Sequence, residues 1–428
     1  MLAGVVALAA VAAACGDDDD SSSADTTKAA SAATTAATGG ATTAATGGAT
    51  TTAAAKGTLK IGVLGSSANS VGPQPEEAKK LAEVWAAGIN AAGGVNGYKV
   101  EVVYRDVAND AAKTLQATQE LEAAGVVSIS QGGVGSLFNA ATLQVFSDKS
   151  LPVIGGTPYN PAYDTNPMLF QVSSSYVAGV WGQVSAAKHV GADHFRNVYC
   201  TEVPACASAA PVTEAAAKSL GLTHSAAGAS ARATSYTATC LDAKNAKVTF
   251  FQSNGLNTPN VIKDCSDQNY HPVYGVGGAA NAATVAAIGQ EKYAGNLYEF
   301  GVFYTGPEVT KFRTTMGKTD VKEADWTQNA VHTWLSLQMT EKVLAKMTKA
   351  NATRADFVAA LLTIKGETLD GQIPPVDYTK QTGGGHFQQD CWTEHTISGG
   401  KLTHMGADGK PVTKLTFICD TNLVHAKA

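Results

Sequence analysis

From Leu59 onward, apolar and polar positions follow two alternating periods. LKIGVLG (Leu59–Gly65) reads as a short strand ending in glycine. Glu76–Ala92 then repeats apolar positions at helical spacing, with Leu81, Val84, Trp85, Gly88 and Ile89 on one face, until GGVNG stops it with glycines and an Asn-Gly turn. KVEVVYRD reads as a strand, Ala111–Ala123 as a helix, VVSISQGG as a strand, Ser136–Ser147 as a helix and LPVIGG as a strand. The alternation restarts near Asn197. FRNVYC is a strand, Val212–Leu220 a helix, KVTFFQSNG a strand, Pro259–Gln268 a helix and HPVYGVGG a strand, followed by a helix near Ala282–Gly289 and a strand at LYEFGVFY. Two further helices follow, Ala330–Met347 and Thr353–Leu362, the second opened by Thr353 as N-cap. The tail from Cys391 alternates around Gly-Gly and Asp-Gly turns and reads as an antiparallel hairpin. Strand–helix alternation at this spacing predicts α/β architecture with parallel sheets covered by helices, and the restart predicts two such lobes.

The first 56 residues follow neither period. Leu2–Ala14 is an apolar run of 13 residues. A membrane span needs roughly 20 residues, whereas the apolar region of a secretory signal takes about 7–15. Ala12-Ala13-Ala14-Cys15 resembles a bacterial lipobox, in which Cys15 is acylated and becomes the new N-terminus; the alternative is an ordinary Ala-x-Ala signal with an incidental cysteine. Residues 16–56 contain only Gly, Ala, Ser, Thr, Asp and Lys, with ATTAATGG repeated at Ala33–Gly40 and Ala41–Gly48. With no large apolar side chain to bury, nothing offsets the entropy of ordering this stretch, and it reads as a tether.

Composition narrows the function classes. Charged residues make up 16% of the chain, the formal net charge is −5 and no basic stripe is present, which argues against a nucleic-acid partner. Of seven cysteines, setting aside Cys15 leaves six, the even number that a disulfide framework in an exported chain requires. Local spacing favours sequential pairs: Cys200–Cys206, Cys240–Cys265 and Cys391–Cys419. No nucleophile elbow, zinc-protease helix, phosphate loop or dinucleotide fingerprint stands where its chemistry would need it. Gly132–Ser136 lacks the lysine of a phosphate loop, and His386, Cys391 and His395 lack paired metal-ligand spacing. No catalytic residue, cofactor or metal is therefore expected.

LKIGVLG, INAAGGVNGYKVEVVYRD, QGGVGS and LPVIGGTPYNP, with the later DCSDQNYHPVYGV and GQIPPVDYT, resemble the leucine/isoleucine/valine-binding-protein family. These are substrate-binding proteins of ABC importers. The likeness runs from about Lys60 to Cys419. It implies a type I periplasmic-binding fold: two Rossmann-like lobes joined by three crossovers, lobe 1 at 58–172 plus 305–375 and lobe 2 at 173–304 plus 376–428, with ligand between them. It also implies an exported, lipid-anchored monomer that delivers a small polar solute to permease subunits in the membrane. A ligand-sensing receptor domain is the alternative.

In open parallel sheets, ligands lie beyond the carboxyl ends of the strands. The candidate wall in lobe 1 is therefore Ser66 and Ser67, Gly135 and Ser136, and the loop bearing Thr157 and Tyr159. The resemblance gives Ser136 the ligand's carboxylate, although it is equally placed to cap the following helix, and gives Thr157 and Tyr159 further contacts. In lobe 2 the candidates are Glu202, Ser253, Asn254 and Gly277. Here the chain departs from the family, with VPAC where an aromatic is usual and GVGGAAN where an acid pairs with the ligand's ammonium. An ammonium buried without an anion is costly, so an amide or a carboxylate is as good a candidate as an amino acid, unless Glu202 supplies the charge.

Overall fold

The computed structural model describes residues 55–69, 72–155, 160–275, 291–382, 386–399 and 401–420, with Gly289 and Leu423. The leader, the tether with Cys15, and the helix expected near 282–289, Gly289 apart, lie outside the described residues.

The first sheet is parallel throughout, in the order β4-β1-β5-β6-β7. Its strands are β1 (Gly57–Gly65), β4 (Tyr98–Asp106), β5 (Ser128–Gln131), β6 (Val153–Ile154) and β7 (Leu169–Phe170); the two-residue β2 (Ala68–Asn69) and β3 (Gly72–Pro73) pair beside it. β1 is buried from Ile61 to Gly65, which is why its apolar run is unbroken: both of its faces are covered. On one face α1 (Glu77–Ala91) brings Leu81 and Trp85. On the other, Leu64 and Ile129 pack with Leu121 of α2 (Ala111–Ala123) and Phe146 of α3 (Ala140–Asp148).

The second sheet runs β9-β8-β10-β11-β12 in parallel: β8 (His194–Cys200), β9 (Thr223–Ala229), β10 (Phe250–Asn254), β11 (Val273–Gly275) and β12 (Tyr293–Leu297). β15 (Cys391–Ser398) adds antiparallel to β12, and β16 (Lys401–Met405) completes the expected hairpin. Between the sheets in sequence lie the short pair β13 (Lys365–Glu367) and β14 (Val376–Asp377). One face of the second sheet carries α4 (Tyr176–His189) and α5 (Pro204–Leu220), with Phe195 and Phe250 against Val184 and Ala216. The other face packs Val198 and Phe251 against α6 (Thr237–Asn245) and α7 (Thr258–Asp267). Three helices follow: α8 (Thr310–Met316), α9 (Gln328–Lys346) and α10 (Arg354–Leu361). Thr353 caps α10 in a reciprocal box with Asp356.

Three chain segments pass between the lobes, after β7, after β12 and before β15. Ser174, fully buried in the first, ties them together: its N–H donates to the carbonyl of Tyr298 in the second (3.2 Å), and its hydroxyl, 3.1 Å from the same oxygen, donates to the carbonyl of Cys391 at the end of the third. Ser175 N adds a bond to Gln389 O at 2.7 Å.

All three disulfides pair as the spacing suggested: Cys200–Cys206, Cys240–Cys265 and Cys391–Cys419. The last joins β15 not to its hairpin partner but to β17 (Ile418–Cys419). Four readings of the pattern change. α3 begins at Ala140, because Asn139 caps it by accepting from Thr142 N at 2.9 Å, and Gly135–Leu137 is a separate 3-10 turn. Ser136 is therefore not the cap. α5 starts eight residues before Val212, at Pro204, whose missing N–H suits a first-turn position; its Ala-rich first half shows no large apolar period. The strand expected at LYEFGVFY (297–304) lies earlier, at Tyr293–Leu297, and shares only Leu297 with it; beyond Leu297 the chain leaves the sheet as the second crossover. β9 and α6 carried no pattern, since THSAAGA is a half-exposed edge strand of small residues.

β15 and β16 place His395 opposite His404, both buried. Burial, helped by His404, pushes the His395 imidazole down to about 3 from its usual 6.5. The unfolded chain takes that proton near 6.5 and the native one only near 3, so the contribution is complete above about pH 6.5 and is lost as pH falls towards 3, at about 1.4 kcal/mol per pH unit. His189 works the other way: its hydrogen bond to Glu394, opposed in part by burial, raises it, so its contribution is present below 6.5 and fades as pH rises. Urea unfolding between pH 7 and 4.5 should show the loss, and His395→Phe should flatten it; an unchanged slope in the variant would assign the acid lability elsewhere.

Candidate functional site

The chain leaves both sheets for the crossovers at their carboxyl ends, after β7 and after β12, so these two edges and their loops form the candidate site. At the lobe-1 edge the β1 loop is held from within. Ser66 Oγ donates to Ala68 O (2.6 Å) and accepts from Asn109 N (2.8 Å). Ser67 gives both N (2.9 Å) and Oγ (2.5 Å) to the Asp106 carboxylate. Burial raises the Asp106 carboxyl, but the Ser67 and Ala108 hydrogen bonds outweigh it and hold the group below its ordinary value. Both serines thus brace the β1 loop against the β4 loop.

The β5 loop is set by Gln131, which accepts from Val134 N (2.8 Å) and donates to Tyr163 Oη (2.7 Å). Gly133 has φ +78°, and an ideal Cβ there would lie 2.8 Å from Asn329 Cγ and 3.2 Å from His332 Nδ1. Only glycine lets this loop lie against α9. Gly135 is buried and Ser136 half-buried in the turn that follows.

Two buried acids stand behind this edge. Glu299, in the second crossover, is fully buried; one carboxylate oxygen accepts from Gln328 Nε2 (2.7 Å) and lies 2.9 Å from His332 Nε2, and the other has no partner. Glu77 accepts from Thr327 N (2.6 Å) and Oγ1 (2.5 Å), yet burial lifts its carboxyl to about 7. Glu299 was visible as the one acid in LYEFGVFY, a signal the strand reading passed over.

At the lobe-2 edge, Glu202 accepts from Ala231 N (3.0 Å) and Ser230 Oγ (2.5 Å), which lowers its carboxyl to about 2. It fastens the β8 loop to the end of β9. Ser253 is buried on the α7 face, 3.2 Å from Thr258 Oγ1. Asn254, the last residue of β10, is half-buried on the opposite face and donates to Asn197 Oδ1 at 2.6 Å. Tyr199, in register with Asn254, is the aromatic of this edge; it stands on the strand, just before the loop where the family pattern placed it. The Cys200–Cys206 bridge lies beside the β10–α7 turn, where an ideal Cβ at Gly255 would sit 2.9 Å from Cys200 Sγ. Thr157, Tyr159 and Gly277 lie outside the described residues. Among the described residues, no group of three His, Cys, Asp or Glu side chains could hold a metal ion, and no helix is long and apolar enough to cross a membrane.

Two Rossmann-like lobes with parallel sheets, three crossovers and polar loops at the carboxyl ends of the strands define a type I binding fold. The periplasmic binding protein family model matches residues 58–400, and the chain belongs to that family. Its general role is solute binding. Among solved structures, a substrate-binding protein of an ABC transporter from Aeropyrum pernix is similar over 86% of this chain and 97% of its own, with 16% identity and a TM-score of 0.69. A fatty acid ABC transporter substrate-binding protein from Thermomonospora curvata is similar over 82% and 92%, with 16% identity and a TM-score of 0.67. A solute-binding protein of an ABC transporter from R. palustris, in complex with 4-hydroxybenzoate, is similar over 85% and 97%, with 17% identity and a TM-score of 0.63. No curated protein matches the chain.

Proposed function

We propose that this chain is the extracytoplasmic solute-binding lipoprotein of an ABC importer. It captures a small polar solute between lobe 1 (58–172 plus 305–375) and lobe 2 (173–304 plus 376–428) and presents it to the permease. Cys15 carries the lipid, residues 16–56 are the leash, and the body is a monomer that performs no chemistry on its ligand. The observation that carries this reading is the joint at Ser174. One buried residue links all three crossovers, and we take that point as the hinge about which the two lobes move. The family and the importer proteins among its structural relatives support the same role.

The site proposed is narrower than the loop set from which it came. Ser136, released from capping, and half-buried Asn254 are our candidates among the described side chains for meeting a solute, with Thr157, Tyr159 and Gly277 as further candidates. Ser66, Ser67, Gly135 and Ser253 shape the walls. Glu202 is already committed to Ser230 and Ala231, so the ligand need not carry an ammonium. The test is a thermal-shift screen of the mature chain against amino acids, amides, aromatic acids and aliphatic carboxylates. A true ligand at a hundred times its Kd should add about 2.7 kcal/mol of stability. Turnover of any compound by the purified protein would overturn the binding-only reading.

A further inference from the structure

The chain beyond β16 leaves the second sheet, touches the core of the first and comes back. It folds against β16 at the start, with Met405 bridged to Pro411 and Val412 N donating to His404 O at 2.9 Å. It then reaches Leu415, whose half-buried side chain packs on the core that Trp85 of α1, Phe312 of α8 and Trp334 of α9 build beside the first sheet. It returns as β17, which pairs with β15 and is stapled there by Cys391–Cys419. The residue it meets is Tyr304, in the stretch that follows β12, buried in that same core. Tyr304 Oη accepts from Leu415 N (3.0 Å) and donates to Glu308 Oε2 (2.9 Å). Its ring stands edge-on to His404 of β16, with centroids 4.9 Å apart. Besides the three crossovers, this is a further link between the sheets, and at Tyr304 it is noncovalent.

We propose that residues 411–419 are a strap that resists closure of the lobes, so that a solute closes them only by loosening the Leu415–Tyr304 contact. This deepens the solute-binding reading above and rests on it. The sheet order gives the direction. The strands run β16-β15-β12-β11-β10-β8-β9, and two of the crossovers attach at β12 and β15. The candidate loops follow β10 and β8, on one side of that attachment; β16 and the strap lie on the other. Neighbouring strands are about 4.8 Å apart, so β16 and β10 each stand about 10 Å from β12, on opposite arms of a lever. Rotation that brings the β8 and β10 loops towards the first sheet carries the strap side away from it. The ring closed by Cys391–Cys419 holds the strap's return end, which leaves the Tyr304 contact as the part that gives. That contact is one backbone N–H on a hydroxyl and one half-buried leucine, small enough for binding to overcome and large enough to bias the balance of open and closed forms.

The test compares the mature chain with Leu415→Ala and with Tyr304→Phe, which keeps the ring and removes the hydroxyl. Lys414→Ala, at an exposed neighbour on the same segment, is the control. In small-angle scattering with no solute added, both strap variants should have a smaller radius of gyration than the wild type, and Lys414→Ala the same one. Thermal-shift titration then uses the amino acids, amides, aromatic acids and aliphatic carboxylates of the screen above. Each compound that binds the wild type should reach its half-maximal shift in both strap variants at a concentration on the order of fivefold lower. A merely structural role would lower the melting temperature without tightening binding. A radius unchanged or larger in either strap variant overturns the strap, as does binding that is unchanged or weaker, or a shrinkage that Lys414→Ala shares. If no compound shifts the wild type, the solute-binding reading fails, and the scattering alone decides the strap.

Discussion

Gly179→Ala is expected to destabilise the protein by about 2 kcal/mol, against the direction that helix propensity alone would give. Alanine inside a helix is better than glycine by up to about 1 kcal/mol. Gly179 lies in the first turn of α4, and an ideal Cβ there would sit 2.6 Å from Tyr298 Cζ and closer still to the ring's Cε1 and Cδ1. Tyr298 is buried in the second crossover and its carbonyl accepts from Ser174. The ring has nowhere to move without shifting the joint, and overpacking of this kind costs about 3 kcal/mol at its upper end, which wins. Gly88→Ala is the control: it is also helical, but nothing lies within 4 Å of its ideal Cβ. Urea unfolding should show Gly88→Ala neutral or stabilising and Gly179→Ala clearly destabilising. Equal effects would mean that α4 and the second crossover are not packed as described.

The disulfides should rank by the loop each one closes. Cys240–Cys265 spans 25 residues and links α6 to α7 with both sulfurs buried. Cys200–Cys206 spans 6. Loop-closure entropy assigns about 3.5 kcal/mol to the first and about 2 kcal/mol to the second. Paired Cys→Ala variants, compared by urea midpoint, should lose stability in that order. A greater loss at Cys200–Cys206 would show that the short bridge acts on the native β8 loop and its neighbour Gly255 more than on the unfolded chain.

What could be read from the residues tracks how periodic they are. α2 was legible to the residue, because Asp110 caps it and GVV follows it. β1 was legible because burial on both faces makes most of it a continuous apolar run. β9 and the first half of α5 were not, since alanine, serine and glycine satisfy helix, strand and turn alike. The site was legible only as a set of loops. Sequence placed Ser253 and Asn254 together, but a strand sends neighbours to opposite faces, so one packs under α7 and the other opens onto the edge. Asn197 and Tyr199 were invisible until register brought β8 beside β10. Ser174 ties its own segment to two others, 124 and 217 residues away from it, a relation that no local pattern carries.

The central claim is that the two lobes close on a solute about the joint at Ser174. Small-angle scattering of the mature chain, with and without a saturating ligand taken from the thermal screen, tests it most directly. The account predicts a smaller radius of gyration and a shorter maximum dimension in the bound state; superimposable curves at saturation would contradict it.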